Sequence, residues 1–269
     1  VHAHESGYLR VHATDPEEGD TPLIIACRFG HLDVAKYLAE RGAPLGAANH
    51  VGETPLHEAA MHGSMLLVTW LLQALGTSTI VELNRKTDAG MTPLAFACLK
   101  GHLEIAQALH AAGASLDVTD GDGHTLMHFA CCGNHVATAR WLHERTDVAT
   151  LTASDVGGRT PMHLACGEGA MSAAHFLREA GAPMDALDSS GSSSLHFACA
   201  AGDLACAVWL LAQGADAALS NRDGNMPLHH AAQAGEAAIV ERLLEAGAPA
   251  GVRNADGDTP ILLSCFGGH

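Results

Sequence analysis

Basic side chains are scarce in this sequence. Lys and Arg number 14 against 30 Asp and Glu, so the formal net charge is -16. Nucleic acid and anionic membranes attract proteins through clustered Lys and Arg, so neither is expected as a partner. The sequence also lacks the run of about 18 apolar residues that marks a bilayer-spanning helix, and no membrane segment is expected.

Motifs for chemistry are also missing. The sequence contains no nucleophile elbow, no phosphate-binding glycine loop and no paired carboxylates within an apolar segment. Aromatic residues make up only 4% of the chain, whereas Gly numbers 29. Small side chains suit short helices that pack closely. We therefore expect a non-enzymatic protein with no cofactor and no small-molecule substrate.

One short segment, Thr54-Pro55-Leu56-His57-Glu58-Ala59, recurs along the whole chain. The intervals between successive copies are 33, 38, 33, 35, 33, 33 and 33 residues. A fixed period of this length is typical of stacked supersecondary units. The copies begin at Thr21, Thr54, Thr92, Thr125, Thr160, Ser193, Met226 and Thr259.

This motif resembles that of the ankyrin-repeat family, in which Thr-Pro-Leu-His-x-Ala precedes Gly-His. Residues 160–165 and the pair Gly101-His102 show the two parts most fully. The resemblance implies an all-α solenoid of helix-turn-helix units joined by β-hairpin loops. A single domain over residues 1–269 is expected, with 1–20 the end of an incomplete repeat and the last repeat also incomplete.

Helix boundaries follow from side-chain chemistry within each unit. The motif's first residue is usually Thr, which caps a helix, and Pro after it suits the first turn. The first helix is expected to end at a Gly nine residues after the Thr, where the fourth repeat has Asn134 instead. Met226 departs from the capping pattern. Extra residues near 76–86 and 146–154 are expected to form surface loops.

Histidine and cysteine positions also follow the repeat. Nine of the 19 His belong to the template, and the resemblance implies that the motif His is structural. The group His128-x-x-Cys131-Cys132-x-x-His135 has zinc-ligand types, but the repeat register explains three of these residues and Asn134 ends the helix first. No metal site is expected.

Six of the eight Cys occupy one register after the motif Ala, where they act as small apolar residues. Cysteines used for packing favour a reducing compartment. We therefore expect a cytoplasmic location, with the nucleus as the alternative. Cys132 and Cys206 lie outside the register.

The resemblance also implies that a protein or peptide partner lies on the concave side, against loop tips and first-helix ends. By register, the large apolar and basic residues of this surface are Arg28, Phe29, Met61, His62, Met91, Leu99 and Lys100. The expected function is that of an intracellular protein–protein interaction module. The alternative is a targeting or regulatory ankyrin segment of a larger enzyme or channel.

Overall fold

The computed structural model describes residues 11–268, which form paired helices. Every first helix begins immediately after the motif's first residue, as the capping pattern predicts. These helices are α1 (Pro22–Arg28), α3 (Pro55–Met61), α6 (Pro93–Lys100), α8 (Leu126–Cys132), α10 (Pro161–Gly167), α12 (Ser194–Ala201), α14 (Pro227–Gln233) and α16 (Pro260–Gly267).

Second helices run back beside the first helices of repeats one to seven. They are α2 (Leu32–Glu40), α4 (Met65–Leu75), α7 (Leu103–Ala111), α9 (Val136–His143), α11 (Met171–Glu179), α13 (Leu204–Ala212) and α15 (Ala237–Glu245). No β-strand is formed within residues 11–268, and the expected all-α class of paired helices is confirmed.

The loops between repeats are tight reversals rather than paired strands. In the loop before α3, the amide of Asn49 donates to the carbonyl of Glu53 at 2.9 Å. Neighbouring loops are joined edge to edge by one backbone hydrogen bond, for example from Gly121 to Ala89 at 2.8 Å. Gly90 has φ +82°, and a Cβ there would lie 2.7 Å from the Gly121 nitrogen, so this close approach requires glycine.

Contacts group the chain into two compact units, with the boundary between Gly121 and Asp122. The first unit includes the first three repeats, and the second unit includes the remaining five. The single domain over 1–269 stays a prediction, and its first ten residues and His269 lie outside the described part of the chain.

Four motif histidines, His57, His128, His163 and His196, join the cap of their own helix to the following loop. In the fifth repeat, Nδ1 of His163 accepts from the Thr160 amide at 3.0 Å and pairs with the Thr160 hydroxyl at 2.9 Å. On the other side of the ring, Nε2 lies 3.0 Å from the carbonyl oxygen of Ala186. Since a carbonyl only accepts, the proton must reside on Nε2. The motif His therefore has the structural role expected from the sequence, since it hydrogen-bonds both its own helix cap and the next loop.

The same arrangement recurs in three other repeats. The Nε2 atoms lie 2.9 to 3.2 Å from carbonyl oxygens of the next loop, at Arg85 and Met91 for His57, Arg159 for His128, and Asn225 for His196. All of these rings are buried. Burial lowers the pKa of His57, His128 and His196 to about 4, because a charged imidazole would be desolvated.

Asn134 adopts the left-handed conformation predicted for the end of the first helix, with φ 58°. Its side chain adds a contact that glycine cannot make. Oδ1 accepts from the amide of Ala173 at 2.9 Å, in the first turn of α11. The substitution therefore caps the second helix of the next repeat.

Both insertions are folded rather than free loops, contrary to the sequence interpretation. The first forms a 3₁₀ turn (Gly76–Ser78) and a short helix, α5 (Thr79–Leu83), whose Leu83 is buried. Asn84 then accepts from the amide of Ser115 at 2.9 Å, so the insertion contacts the third repeat. The second forms a 3₁₀ helix (Val148–Leu151) that buries Leu151.

The segment Met65–Leu83 also differs from expectation. Its mean hydropathy of 1.5 over 19 residues meets the length and composition test for a membrane span. Core helices of proteins outside membranes pass the same test. The segment comprises α4, the 3₁₀ turn and α5, and Gly76 between them has φ 53° and ψ -118°.

Met226 is buried at the position where most repeats have a capping hydroxyl, with 1% of its surface exposed. Its amide still donates to Nδ1 of His229, at 3.1 Å. The seventh repeat therefore keeps the imidazole half of the cap, and the Met side chain fills core space instead of supplying an oxygen.

Five register cysteines are buried as predicted, but Cys265 is exposed. It lies on α16, against which no further repeat packs within the described residues. Cys206, outside the register, is buried. All eight thiols are free, and burial raises the pKa of Cys27, Cys98 and Cys199 to about 12.

Stability should fall as the pH drops from about 6.5 to about 4. In that window the motif histidines take up protons in the unfolded chain but stay neutral in the folded protein. Each such histidine lowers the free energy of unfolding by up to about 3 kcal/mol. Urea titrations at several pH values measure this loss. His128→Asn should be less stable at pH 7 but show a shallower pH dependence, by about one proton. An unchanged slope would contradict the burial of a neutral His128.

Thiol labelling should follow exposure. With iodoacetamide and peptide mass spectrometry, Cys265 should react first in the native protein, Cys132 second, and the six buried cysteines much later because their thiolates are inaccessible. The urea-unfolded chain is the control, in which all eight should react alike. Native labelling of Cys27 as fast as Cys265 would show that the α1 register is wrong.

Candidate partner-binding surface

The seven predicted contact residues do not share one environment. Phe29 is 67% exposed at the end of α1, and His62 and Lys100 are exposed at the ends of α3 and α6. Met61 and Leu99 are half-buried. Helices α1, α3 and α6 pack side by side in this order. The structure thus keeps six of the seven at or near the surface of one unit.

Met91 is the exception. Its side chain is only 7% exposed, so it belongs to the core and not to an accessible surface. Its backbone is also engaged, because the amide donates to the Thr87 hydroxyl and the carbonyl oxygen lies 3.2 Å from Nε2 of His57. The prediction that Met91 contacts a partner through its side chain is wrong for this reason.

Arg28 is held by three carboxylates. Its Nε and Nη2 donate to the two carboxylate oxygens of Glu58 at 3.1 and 2.9 Å. Nη1 lies 2.9 Å from Glu18 and 2.5 Å from Asp20. The hydrogen bonds that Arg28 donates to Glu58 are the main reason why the pKa of Arg28 is raised. The positive charge of Arg28 is therefore already paired with carboxylates of the same chain.

Glu58 explains why this network exists. Only 2% of its surface is exposed, and it occupies the motif position that holds Phe96, Phe129 and Leu164 in other repeats. A buried carboxylate needs a paired cation to offset desolvation, and Arg28 from the preceding repeat supplies one through a bidentate contact.

A cleft of about 390 Å³ opens beside this ion pair. Arg28, Met61 and His62 are the predicted contact residues that line it. The sequence feature that indicates the rest of the cleft is the set of acidic residues in the loops before α1 and α3. The lining residues are Glu17, Glu18, Arg28, Asn49, His50, Val51, Glu53, Glu58, Met61 and His62.

The cleft has an excess of negative charge. Glu17, Glu18, Glu53 and Glu58 line it, and Arg28 is its one Lys or Arg. Burial, followed by the neighbouring Glu58 carboxylate, raises the pKa of Glu53. The Asn49 side chain donates to Asp20 at 3.0 Å and to Glu53 at 3.1 Å, which fixes the back wall of the cleft.

The zinc-type residues around His128 are already engaged. Nδ1 of His128 accepts from the Thr125 amide at 3.1 Å, and Nε2 lies 2.9 Å from the Arg159 carbonyl oxygen. Cys131 is fully buried, and burial raises the pKa of its thiol. With both ring nitrogens in use, His128 serves the repeat contacts and has no nitrogen left for a metal ion.

Overlapping matches to the family model described as ankyrin repeats cover residues 6–269. The chain belongs to the ankyrin-repeat family. Within 125 residues it is 34% identical to mouse protein fem-1 homolog A-like, covering 45% of this chain and 18% of that protein. A human relative, transient receptor potential cation channel subfamily A member 1, is 32% identical over 126 residues, covering 47% of this chain and 11% of the channel.

A third relative, from Oryza sativa subsp. japonica, is the probable E3 ubiquitin-protein ligase XBOS32. It is 34% identical over 121 residues, which cover 44% of this chain and 23% of the ligase. The chain spans less than a quarter of each of these three relatives. Among solved structures, the ankyrin repeat domain of Bcl-3, titled a unique member of the IkappaB protein family, matches with a TM-score of 0.61. It is 30% identical and covers 79% of this chain and 94% of that one.

Removing the guanidinium should destabilise the first unit. Arg28→Met leaves Glu58 buried without a cation, and we expect a loss of about 3 kcal/mol in urea unfolding. The double change Arg28→Met with Glu58→Leu should recover most of this loss, because Leu164 shows that the register accepts an apolar residue. A double variant as unstable as the single one would mean that the pair serves another purpose.

Proposed function

We propose that the chain binds another protein through an inner patch formed by Phe29, Met61, His62, Leu99 and Lys100. The observation that carries the proposal is Phe29. It is 67% exposed at the end of α1, beside helices that present a half-buried Met and Leu at neighbouring ends. A large exposed aromatic with apolar neighbours and a charged rim is the composition of an interaction hot spot.

Family membership supports the same proposal. Ankyrin-repeat domains generally bind other proteins, and their folds are typically non-catalytic. We infer that this chain is likewise non-enzymatic and that its partner lies on the side formed by first-helix ends and loops. Met61 suits this role because its flexible thioether adapts to irregular partner shapes.

One end of the inner patch is held by a contact with the next repeat. The Met61 carbonyl oxygen lies 3.2 Å from Nε2 of His102, which fixes the end of α3 against the next repeat. A pre-positioned surface loses little conformational freedom when a partner binds.

A second role is favoured by the relatives. They include a cation channel and a probable ubiquitin ligase, of which the matched segment is 11% and 23%. We propose as the alternative that this chain is a targeting or regulatory segment of a larger enzyme or channel. In both cases the inner patch would bind a protein.

The cysteines support an intracellular location. Six of the eight are buried and all are free, which suits a reducing compartment such as the cytoplasm. We propose the cytoplasm as the site of action, with the nucleus as the alternative. Neither location changes the chemistry of the inner patch.

Quantitative affinity capture with the full 269-residue chain tests the function. Phe29→Asp and Met61→Asp should each weaken specific capture by about 2 kcal/mol, or about thirtyfold, because a charge replaces a hydrophobic anchor. The matched control is Leu66→Asp on α4, whose side chain is 71% exposed and does not belong to the inner patch. Circular dichroism confirms that each variant folds. If capture survives both inner changes, the partner binds elsewhere.

A further inference from the structure

We propose that the cleft beside the inner patch accepts a Lys or Arg side chain from the partner protein, flanked in the partner by apolar residues. This inference rests on the proposed function and names the chemistry of its partner. It combines the shape of the cleft, its charge and its apolar walls.

The charge of the cleft is only partly neutralised from within. Arg28 uses Nε, Nη1 and Nη2 on Glu58, Glu18 and Asp20, so it has no free face for an anion. Glu17 and Glu53 also line the cleft. Within residues 11–268 neither forms an ion pair, and Glu53 accepts a hydrogen bond from the neutral Asn49 amide at 3.1 Å. A positive side chain from a partner complements this excess, as charge complementarity at interfaces requires.

Apolar side chains lie next to these carboxylates. Val51 is 52% exposed, and Met61 is half-buried on the same cleft. Lys and Arg carry a long aliphatic stem below the charged group. The stem would lie against Val51 and Met61 while the charged end reaches Glu53 and Glu17.

The size of the cleft favours a side chain over a bare ion. Its volume of about 390 Å³ lies in the range of sites that hold organic groups. Phe29, 67% exposed at the adjacent helix end, offers a place for an apolar neighbour in the partner's sequence. We therefore commit to a protein segment as the occupant. A free polyamine is an outcome that would overturn the proposal.

An array of immobilised octapeptides tests the inference with the complete chain. One central residue is fixed as Arg, Lys, Gln or Glu, and the flanking positions are randomised. Binding of the fluorescently labelled protein should be about tenfold stronger to the best Arg or Lys peptides than to their Gln counterparts, and weaker still with Glu. Apolar residues should be selected beside the centre. Equal binding to the Gln peptides would overturn the proposal.

Variants separate this inference from the function on which it rests. Glu17→Gln with Glu53→Gln should remove the preference for Arg and Lys while leaving Arg28 and its partners in place. Phe29→Asp should lower binding to all peptides. If binding depends on Phe29 but not on the two glutamates, the inner patch stands and the basic partner is wrong. If it depends on neither, both proposals fail.

A competition experiment completes the test. Spermine at the peptide's concentration should displace the best Arg peptide only weakly, because it makes no contact like that of an apolar flank with Phe29. Displacement as strong as that by the unlabelled peptide itself would show that the cleft binds cations without regard to a protein segment, and would overturn the proposal.

Discussion

A buried motif imidazole joins the helix cap to the next loop in four of the eight repeats, those of His57, His128, His163 and His196. One ring accepts from the cap of its own helix through Nδ1 and donates from Nε2 to the next loop, as His163 does between Thr160 and Ala186. Only a neutral ring with its proton on Nε2 makes both contacts. The arrangement therefore fixes helix start, loop position and tautomer together, and its burial makes stability depend on pH.

The first repeat lacks this imidazole, as do the third and the eighth, because Ile24, Ala95 and Leu262 stand in its place. The Arg28–Glu58 ion pair joins the first two repeats instead, with Asn49 bridging to Asp20. This substitution has a functional consequence. The buried ion pair brings carboxylates to this end of α1 and α3, whereas the same register holds Ile, Phe, Leu or His in the other repeats, and so an acidic cleft forms beside Phe29 and Met61.

The repeat period predicted the fold because most units reuse the same local chemistry: a Thr cap, a Pro in the first turn and a left-handed exit, even at Asn134. It could not predict what depends on neighbours. Met91 resembles a surface residue by register, yet it is buried. By register Arg28 resembles a cation that is free to bind a partner. It is paired instead because Glu58, only 2% exposed, needs a cation inside the protein. The acidic cleft likewise arises from residues of two loops and two helices, and no single repeat contains it.

The most direct test of this account is a crystal structure of the chain with its tightest-binding peptide. The account predicts a Lys or Arg side chain in the cleft, its charged end near Glu53 and its stem against Met61, with an apolar neighbour on Phe29. A peptide seated on the outer helices, or a neutral side chain in the cleft, would contradict it.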